Sequence, residues 1–333
     1  MTGPPRFNKT HRSEAVAPAI GATTYISDAL RLDGAKFGDL LRLVRPSEWL
    51  LVAYFSIVIL RGHLAGIPPA ALLPRYGLMA ALAAFLILAS RAEYRTGLRR
   101  WSMVRDWAMP PLLLVAYWAI DLPVSITFNN RLEHSLVGFD KLILHTWGVK
   151  AAIEYFGPVI PFLLEFCYCL LWAIPPVSIG MLYLYKKRKQ VDQFCFILMF
   201  GVLTTYALMP LIPLRSPRIL FPGQDLPSYV TPMRRMNVWL LNHGDIQTSV
   251  FPSGHVTTGF STAYALLIVL AERKRIAGLV GLIAAAVAVA TVYGRYHYAA
   301  DGLAAMGVCL LACPAGAMLH RVLAQTIHDR GRI

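Results

Sequence analysis

Charge is scarce in this sequence, at 15% of its 333 residues. Soluble domains carry roughly 25% charged residues. A chain this poor in charge, 56% hydrophobic and with a mean hydropathy of +0.52, is therefore not an ordinary soluble domain. Cysteine is scarce too, and all five (Cys167, Cys169, Cys195, Cys309, Cys313) fall inside apolar runs. That placement speaks against a disulfide framework and predicts small buried hydrophobes. Cys309 and Cys313 lie one helical turn apart, where packing is expected rather than a reactive or metal-binding pair. The chain shows no internal repeat, no linker and no nucleotide or metal motif. No secretory signal peptide is expected. Residues 1–46 are instead polar, basic and spotted with Pro and Gly ("MTGPPRFNKTHRSEAVAPAIG"), which reads as a cytoplasmic tail followed by a short amphipathic approach.

What the sequence does have is long apolar runs. A bilayer core needs roughly 20 apolar residues, which gives about eight spans. They are expected near 47–66, 69–90, 107–121, 157–184, 191–212, 254–271, 276–294 and 299–320. The fold class is accordingly all-α, a polytopic membrane helical bundle over 47–320, followed by a cytoplasmic tail at 321–333. The net charge of +14 raises the possibility of nucleic-acid binding, but its placement argues against it. Most Lys and Arg fall in the termini and in "RAEYRTGLRRWSMVR", "KKRK" and "ERKR", at alternate ends of the spans. By the positive-inside bias these segments and both termini are cytoplasmic. Arg215, Arg218, Arg234, Arg235 and Arg295 lie on the other side and need another explanation.

Two outer segments are long, 122–156 and 213–253. Within the first, apolar residues recur at helical spacing over 131–156, predicting an interfacial amphipathic helix that covers the outer mouth with apolar side chains. The next span contains "WAIPP" (172–176), whose paired prolines should break or kink the helix. It also carries Glu165, a carboxylate at membrane depth and hence a functional candidate.

Three distant segments converge at the outer face. "FPSGHVTTGFSTA" opens one helix with Ser253, Gly254 and His255, and "YGRYHYAADGLA" brings Arg295, His297 and Asp301. "YALMPLIPLRSPR" brings Arg215 and Arg218. A helix N-terminus offers unpaired N–H groups to an anion. Pro252 suits a first helical turn and Gly254 permits close backbone approach. A protonated His255 can give its proton to a leaving oxygen. His297 and Asp301, four apart, are expected to stack on one helical face, where the carboxylate fixes the imidazole tautomer and frees the other nitrogen to attack. Arginine forks clamp phosphate oxygens. Each part also has a plainer reading. A lone interfacial histidine is usually a hydrogen-bonded surface residue, and His63, His134, His145 and His243 are read that way. Asp301 alone would answer a helix dipole, and Arg234 and Arg235 would meet lipid headgroups. Two histidines and a carboxylate also suit a metal, but the neighbouring arginines would repel a cation.

"PSGH" with "H-x-x-x-D" at the starts of two neighbouring helices resembles the type 2 phosphatidic acid phosphatase superfamily, which includes the vanadium haloperoxidases. The resemblance covers roughly residues 130–310 and implies a core helical bundle over about 157–320. It implies that His297 is a nucleophile forming a phosphohistidine, that Asp301 orients it and that His255 protonates the leaving group. The usual first motif, K-x-x-x-x-x-x-R-P, is absent, and Ala290 and Thr291 stand where the third motif usually begins S-R. Arg295, one turn on from 291, would reach the same face if the helix persists. "Y-x-x-x-P-x-x-P-x-x-x-P-R" (Tyr206 to Arg218), "VYGRYHYAAD", "FDKLI" (with Asp140) and "FCYCLLWAIPP" are similar to the branch of inositol phosphorylceramide synthase and bacterial inositol-phosphotransferase-like proteins.

The expectation is a multi-pass enzyme, in the bacterial inner membrane, acting on a lipid phosphate from the extracytoplasmic side. Its catalytic residues are His297, Asp301 and His255. Its phosphate-binding residues are Arg218, Arg215, Arg295, Ser253 and Gly254, and its pocket candidates are Tyr206, Glu165 and Asp140. No cofactor, metal or nucleic acid is expected. The acceptor is a lipid or polyol hydroxyl in a phosphotransferase, or water in a phosphatase. A non-catalytic lipid or anion transporter is the competing class.

Overall fold

The computed structural model describes residues 43–122, 130–246 and 249–330. The N-terminal tail expected before the first span lies almost wholly outside them. The described residues form helices and no strand. In chain order these are α1 (Pro46–Leu64), α2 (Pro69–Thr96), α3 (Arg99–Ala119), α4 (Asn130–Lys141), α5 (Val149–Glu154), α6 (Val159–Leu170) and α7 (Ile174–Leu184). They are followed by α8 (Val191–Leu208), α9 (Pro217–Leu220), α10 (Pro232–Gly244), α11 (Gly254–Val269), α12 (Lys274–Tyr293) and α13 (Ala299–Arg330). The last helix runs past residue 320, where a tail was expected.

Among the described residues, six stretches are long and apolar enough to cross a membrane, and the protein is an integral membrane helical bundle. The two other expected spans are also helical, with physical reasons for falling short. α3 opens on Arg99 and Arg100 and buries Arg105 and Asp106 a turn and a half on, so its apolar part is only its second half. α11 has 16 residues because it starts inside the protein, at buried Ser253 and Gly254, not at the surface.

The centre of the bundle is α8, packed against α1, α11 and α13. Lipid is as apolar as leucine, so close backbone approach between small residues holds such helices together. A Cβ on Gly259 of α11 would stand 2.8 Å from the Ala284 Cβ of α12, so the close approach of these helices leaves no room for a larger residue there. Cys309 and Cys313 of α13 serve as packing groups, with Cys313 Sγ donating to Ser261 Oγ at 3.2 Å. The paired prolines act as expected. A 3₁₀ turn at Leu171–Ala173 separates α6 from α7, whose first turn holds Pro175 and Pro176.

α1–α3 are fastened to the core by a buried ionic network at the end of the bundle away from the histidine motifs. Arg105 grips both Glu48 carboxylate oxygens (2.8 and 2.6 Å) and Glu93 (2.7 Å), while Arg45 holds Asp106 (2.5 Å) and Tyr183 of α7 also bonds Asp106. Removing one member of such a network strands a buried charge, at a cost of about 3–5 kcal/mol.

Candidate active site

The start of α11 is built by capping. Ser253 is the N-cap, its hydroxyl accepting from Val256 N at 3.4 Å, a standard use of serine at a helix start. Pro252 lies just outside the helix rather than in its first turn. Gly254 is required by its neighbours, since a Cβ there would meet Tyr206 Cε1 at 3.0 Å and Met209 Cε at 3.3 Å. This glycine therefore lets α11 seat against the end of α8. His255 stacks on Tyr168 (centroids 4.7 Å, planes 20° apart) and meets the edge of Trp172 at 5.6 Å. Its Nε2 is buried and has no hydrogen-bond partner among the described residues.

His297 and Asp301 do not share a helix face. α12 ends at Tyr293 and α13 begins at Ala299, so His297 stands in the intervening turn. The pair forms because Asp301, in the first turn of α13, reaches back: its Oδ2 accepts from Tyr298 N (3.0 Å) and from His297 Nδ1 (3.1 Å). One carboxylate thus closes the helix start and orients the imidazole, leaving Nε2 as the free nitrogen. The two histidine rings lie 5.8 Å apart. Both line one cavity with Gly254, Tyr206, Tyr117 and Asp245.

The arginines are placed differently from the sequence expectation. Arg295 does not prolong α12; it sits at φ +64° in the turn, with Tyr296 N and His297 N both donating to Thr291 O. Its side chain is nonetheless fully buried. Nη1 donates to Asp140 Oδ2 at 2.9 Å, and Nε and Nη2 have no partner among the described residues. Buried guanidinium donors left open are suited to an anion. Arg218 bonds its N–H to Arg295 O (3.0 Å), but its fork is engaged by Asn242 Oδ1 and Asp245 Oδ2, both at 2.8 Å. Arg215 is exposed, and its backbone N–H donates to Glu133 Oε1 at 2.7 Å.

α4 supplies the acids that hold these loops. Its buried face is Glu133, Val137 and Asp140, at helical spacing, so it turns two carboxylates inward where apolar cover was expected. Asp140 also accepts from Ala299 N at 2.8 Å. Burial pushes its carboxyl up to about 6, against the opposing pull of that N–H group and of Arg295.

Glu165 is buried and fully engaged. Arg234 (3.0 Å), Asn237 (2.7 Å) and the Tyr296 hydroxyl (2.8 Å) all converge on it. It ties α6 to α10 and to the turn before His297, and it does not line the cavity. Arg234 is accordingly buried in the protein instead of meeting lipid headgroups, whereas Arg235 is exposed. All four histidines read as interfacial, His63, His134, His145 and His243, are exposed, and His145 pairs with Asp225 at 2.9 Å.

Several site residues carry little sequence signal. Tyr117 of α3 donates to Asp245 Oδ1 at 2.7 Å, and Tyr168 and Trp172 flank His255. Asp245 was the most findable, an acid ten residues before His255 in an outer segment. Tyr117, Tyr168 and Trp172 look like ordinary span aromatics.

A family model described as the PAP2 superfamily matches residues 135–315, more than half of the chain, and the chain belongs to that superfamily. No curated protein and no solved structure matches it.

Proposed function

We propose that this PAP2 superfamily protein transfers a phosphoryl or headgroup-phosphate unit from a membrane lipid to an alcohol, through a phosphohistidine on His297. Membership of the superfamily supports a phosphatase or phosphotransferase type of activity. The observation that carries the finer reading is the bond from His297 Nδ1 to Asp301, with His255 across the same cavity.

In the first step His297 Nε2 attacks phosphorus, and the bond to the leaving oxygen breaks as that oxygen takes a proton from His255. Asp301 stabilises the charge that develops on the His297 ring. The open Nε and Nη2 donors of Arg295, with Arg218 once it turns, offset charge on the phosphoryl oxygens. In the second step the acceptor hydroxyl gives its proton to His255 while its oxygen attacks phosphorus, restoring His297. Neither step requires a metal or a nucleotide. The reacting face is read as extracytoplasmic, because the basic segments lie at the opposite end.

Transfer rather than hydrolysis is supported by the cavity walls. Leu113 and Leu114 of α3, with Leu171, Trp172 and Met209, line the cavity beside the histidines, an apolar wall that suits a lipid acceptor better than water. Mass spectrometry of products tests this, with purified protein given phospholipids and candidate polyol or lipid acceptors. An acceptor-dependent phosphodiester or phosphomonoester is expected. Free phosphate released at one rate with every acceptor would make the protein a phosphatase. No lipid turnover, alongside lipid or anion flux across vesicles, would make it a transporter.

A further inference from the structure

The geometry points to Tyr117 and Asp245 as positioning residues that set how tightly Arg218 holds a phosphate. The inference rests on reading Arg218 as a phosphate ligand. Asp245 lines the cavity with both histidines, whereas the Arg218 side chain is drawn away to Asp245 Oδ2 and Asn242 Oδ1. An anion entering the cavity therefore meets a carboxylate before it meets the arginine, which is an unfavourable order for a phosphate enzyme. The Arg218 Nε stands without a partner among the described residues, but both Nη groups are held, so Arg218 must exchange Asp245 for the phosphate before its whole fork can act.

That exchange would strand a partly buried carboxylate, and such a group is costly without donors. Tyr117 supplies one, its hydroxyl standing 2.7 Å from Asp245 Oδ1, the oxygen that Arg218 does not use. It also accepts from Ile246 N at 3.3 Å, which fixes it in place. When Arg218 leaves, Asp245 keeps this bond. Tyr117 thus lowers the penalty of releasing the arginine, while Asp245 and Asn242 raise it. Tyr117 belongs to α3, outside the matched residues 135–315. The N-terminal helices would then tune the phosphate affinity of the core, beyond closing its cavity.

The three side chains should act with different signs. Asp245→Asn removes the competing charge and should tighten inorganic phosphate binding about tenfold, the size of one hydrogen bond to a charged group. Asn242→Ala should tighten it by about threefold, less than Asp245→Asn because Asn242 offers the guanidinium an uncharged and solvent-exposed acceptor. Tyr117→Phe should weaken it by about tenfold, and should have no effect when Asp245→Asn is already present. A purely structural role would weaken binding in every variant.

The measurement is the rise in thermal midpoint of the purified full chain in detergent, titrated with inorganic phosphate. Arg218→Ala serves as the reference. Opposite signs for the Asp245 and Tyr117 variants support the inference. Unchanged or uniformly weakened binding overturns it while leaving the phosphate site intact. Equal phosphate affinity in the parent and in Arg218→Ala overturns the reading of Arg218 itself, and this inference with it. Asn242 lies exposed on α10, so its variant decides the matter alone if the half-buried ones fail to fold: tighter binding supports the inference, and unchanged or weaker binding overturns it.

Discussion

The backbone N–H of Ser253 donates to the carbonyl of Asp301 at 3.1 Å. This bond locks the start of α11 to the first turn of α13, and so fixes His255 relative to His297. The two motifs are 42 residues apart in sequence, yet one main-chain bond sets their spacing. A shift of one ring by an ångström would spoil the alignment on which transfer depends.

Asp301→Asn tests the orienting bond. The amide can present its NH₂ to His297 Nδ1, favouring the wrong tautomer and removing the charge that steadies the ring. Turnover should fall by about 10²–10⁴ with lipid binding nearly unchanged, by analogy with other histidine–aspartate pairs. His297→Ala should abolish turnover. Near-normal rates from His297→Ala on a natural lipid would sink the mechanism.

His255→Ala tests the proton donor. An acid matters only when the leaving oxygen is basic. The variant should be most impaired on alkyl phosphates and least on p-nitrophenyl phosphate. An equal loss on both would assign His255 to binding or structure.

Asp140 provides a pH test. Its carboxyl is pushed up to about 6 by burial, while an unfolded aspartate titrates near 3.9. Between those values the folded state holds a proton that the unfolded chain has lost. Stability from this group is therefore fully present below about 3.9 and is lost as pH rises through about 6. Over the whole window the change is on the order of 2–3 kcal/mol. Thermal midpoints of the parent and Asp140→Asn in detergent, compared from pH 5 to 8, should show the parent losing stability relative to the variant as pH rises. A constant gap would mean that Asp140 stays charged throughout, held by Arg295.

Topology can be tested at Gln224, which is exposed in the loop after α9. A cysteine placed there should react with an impermeant thiol reagent in intact cells. Labelling only after lysis would place the histidines on the cytoplasmic side.

Much of this protein is legible as one-dimensional pattern. Apolar run length predicts the spans, Pro175 and Pro176 predict the break after α6, and the two histidine strings predict which segments meet. These are local properties of the chain: helix formation, capping and partition into lipid depend on neighbours within a few residues. A helix start at this string is readable too, although the sequence places Pro252 in the first turn and the structure sets the cap one residue on, at Ser253.

The charges are a different matter, and only the tertiary structure decides them. In the sequence Glu165 and Arg234 are an isolated intramembrane acid and a headgroup-facing arginine; in the bundle they are partners 69 positions apart. Arg295 is displaced from a helix face into a left-handed turn and meets Asp140, 155 positions away. Arg218 faces an acid where a phosphate ligand was expected. A buried charge takes whatever counter-charge the packing brings within about 3 Å, because in a low-dielectric interior the unpaired alternative is far costlier. Which counter-charge arrives depends on how α4, α6 and α10 lie against the turns around the histidines, and no stretch of sequence shorter than the whole bundle carries that information.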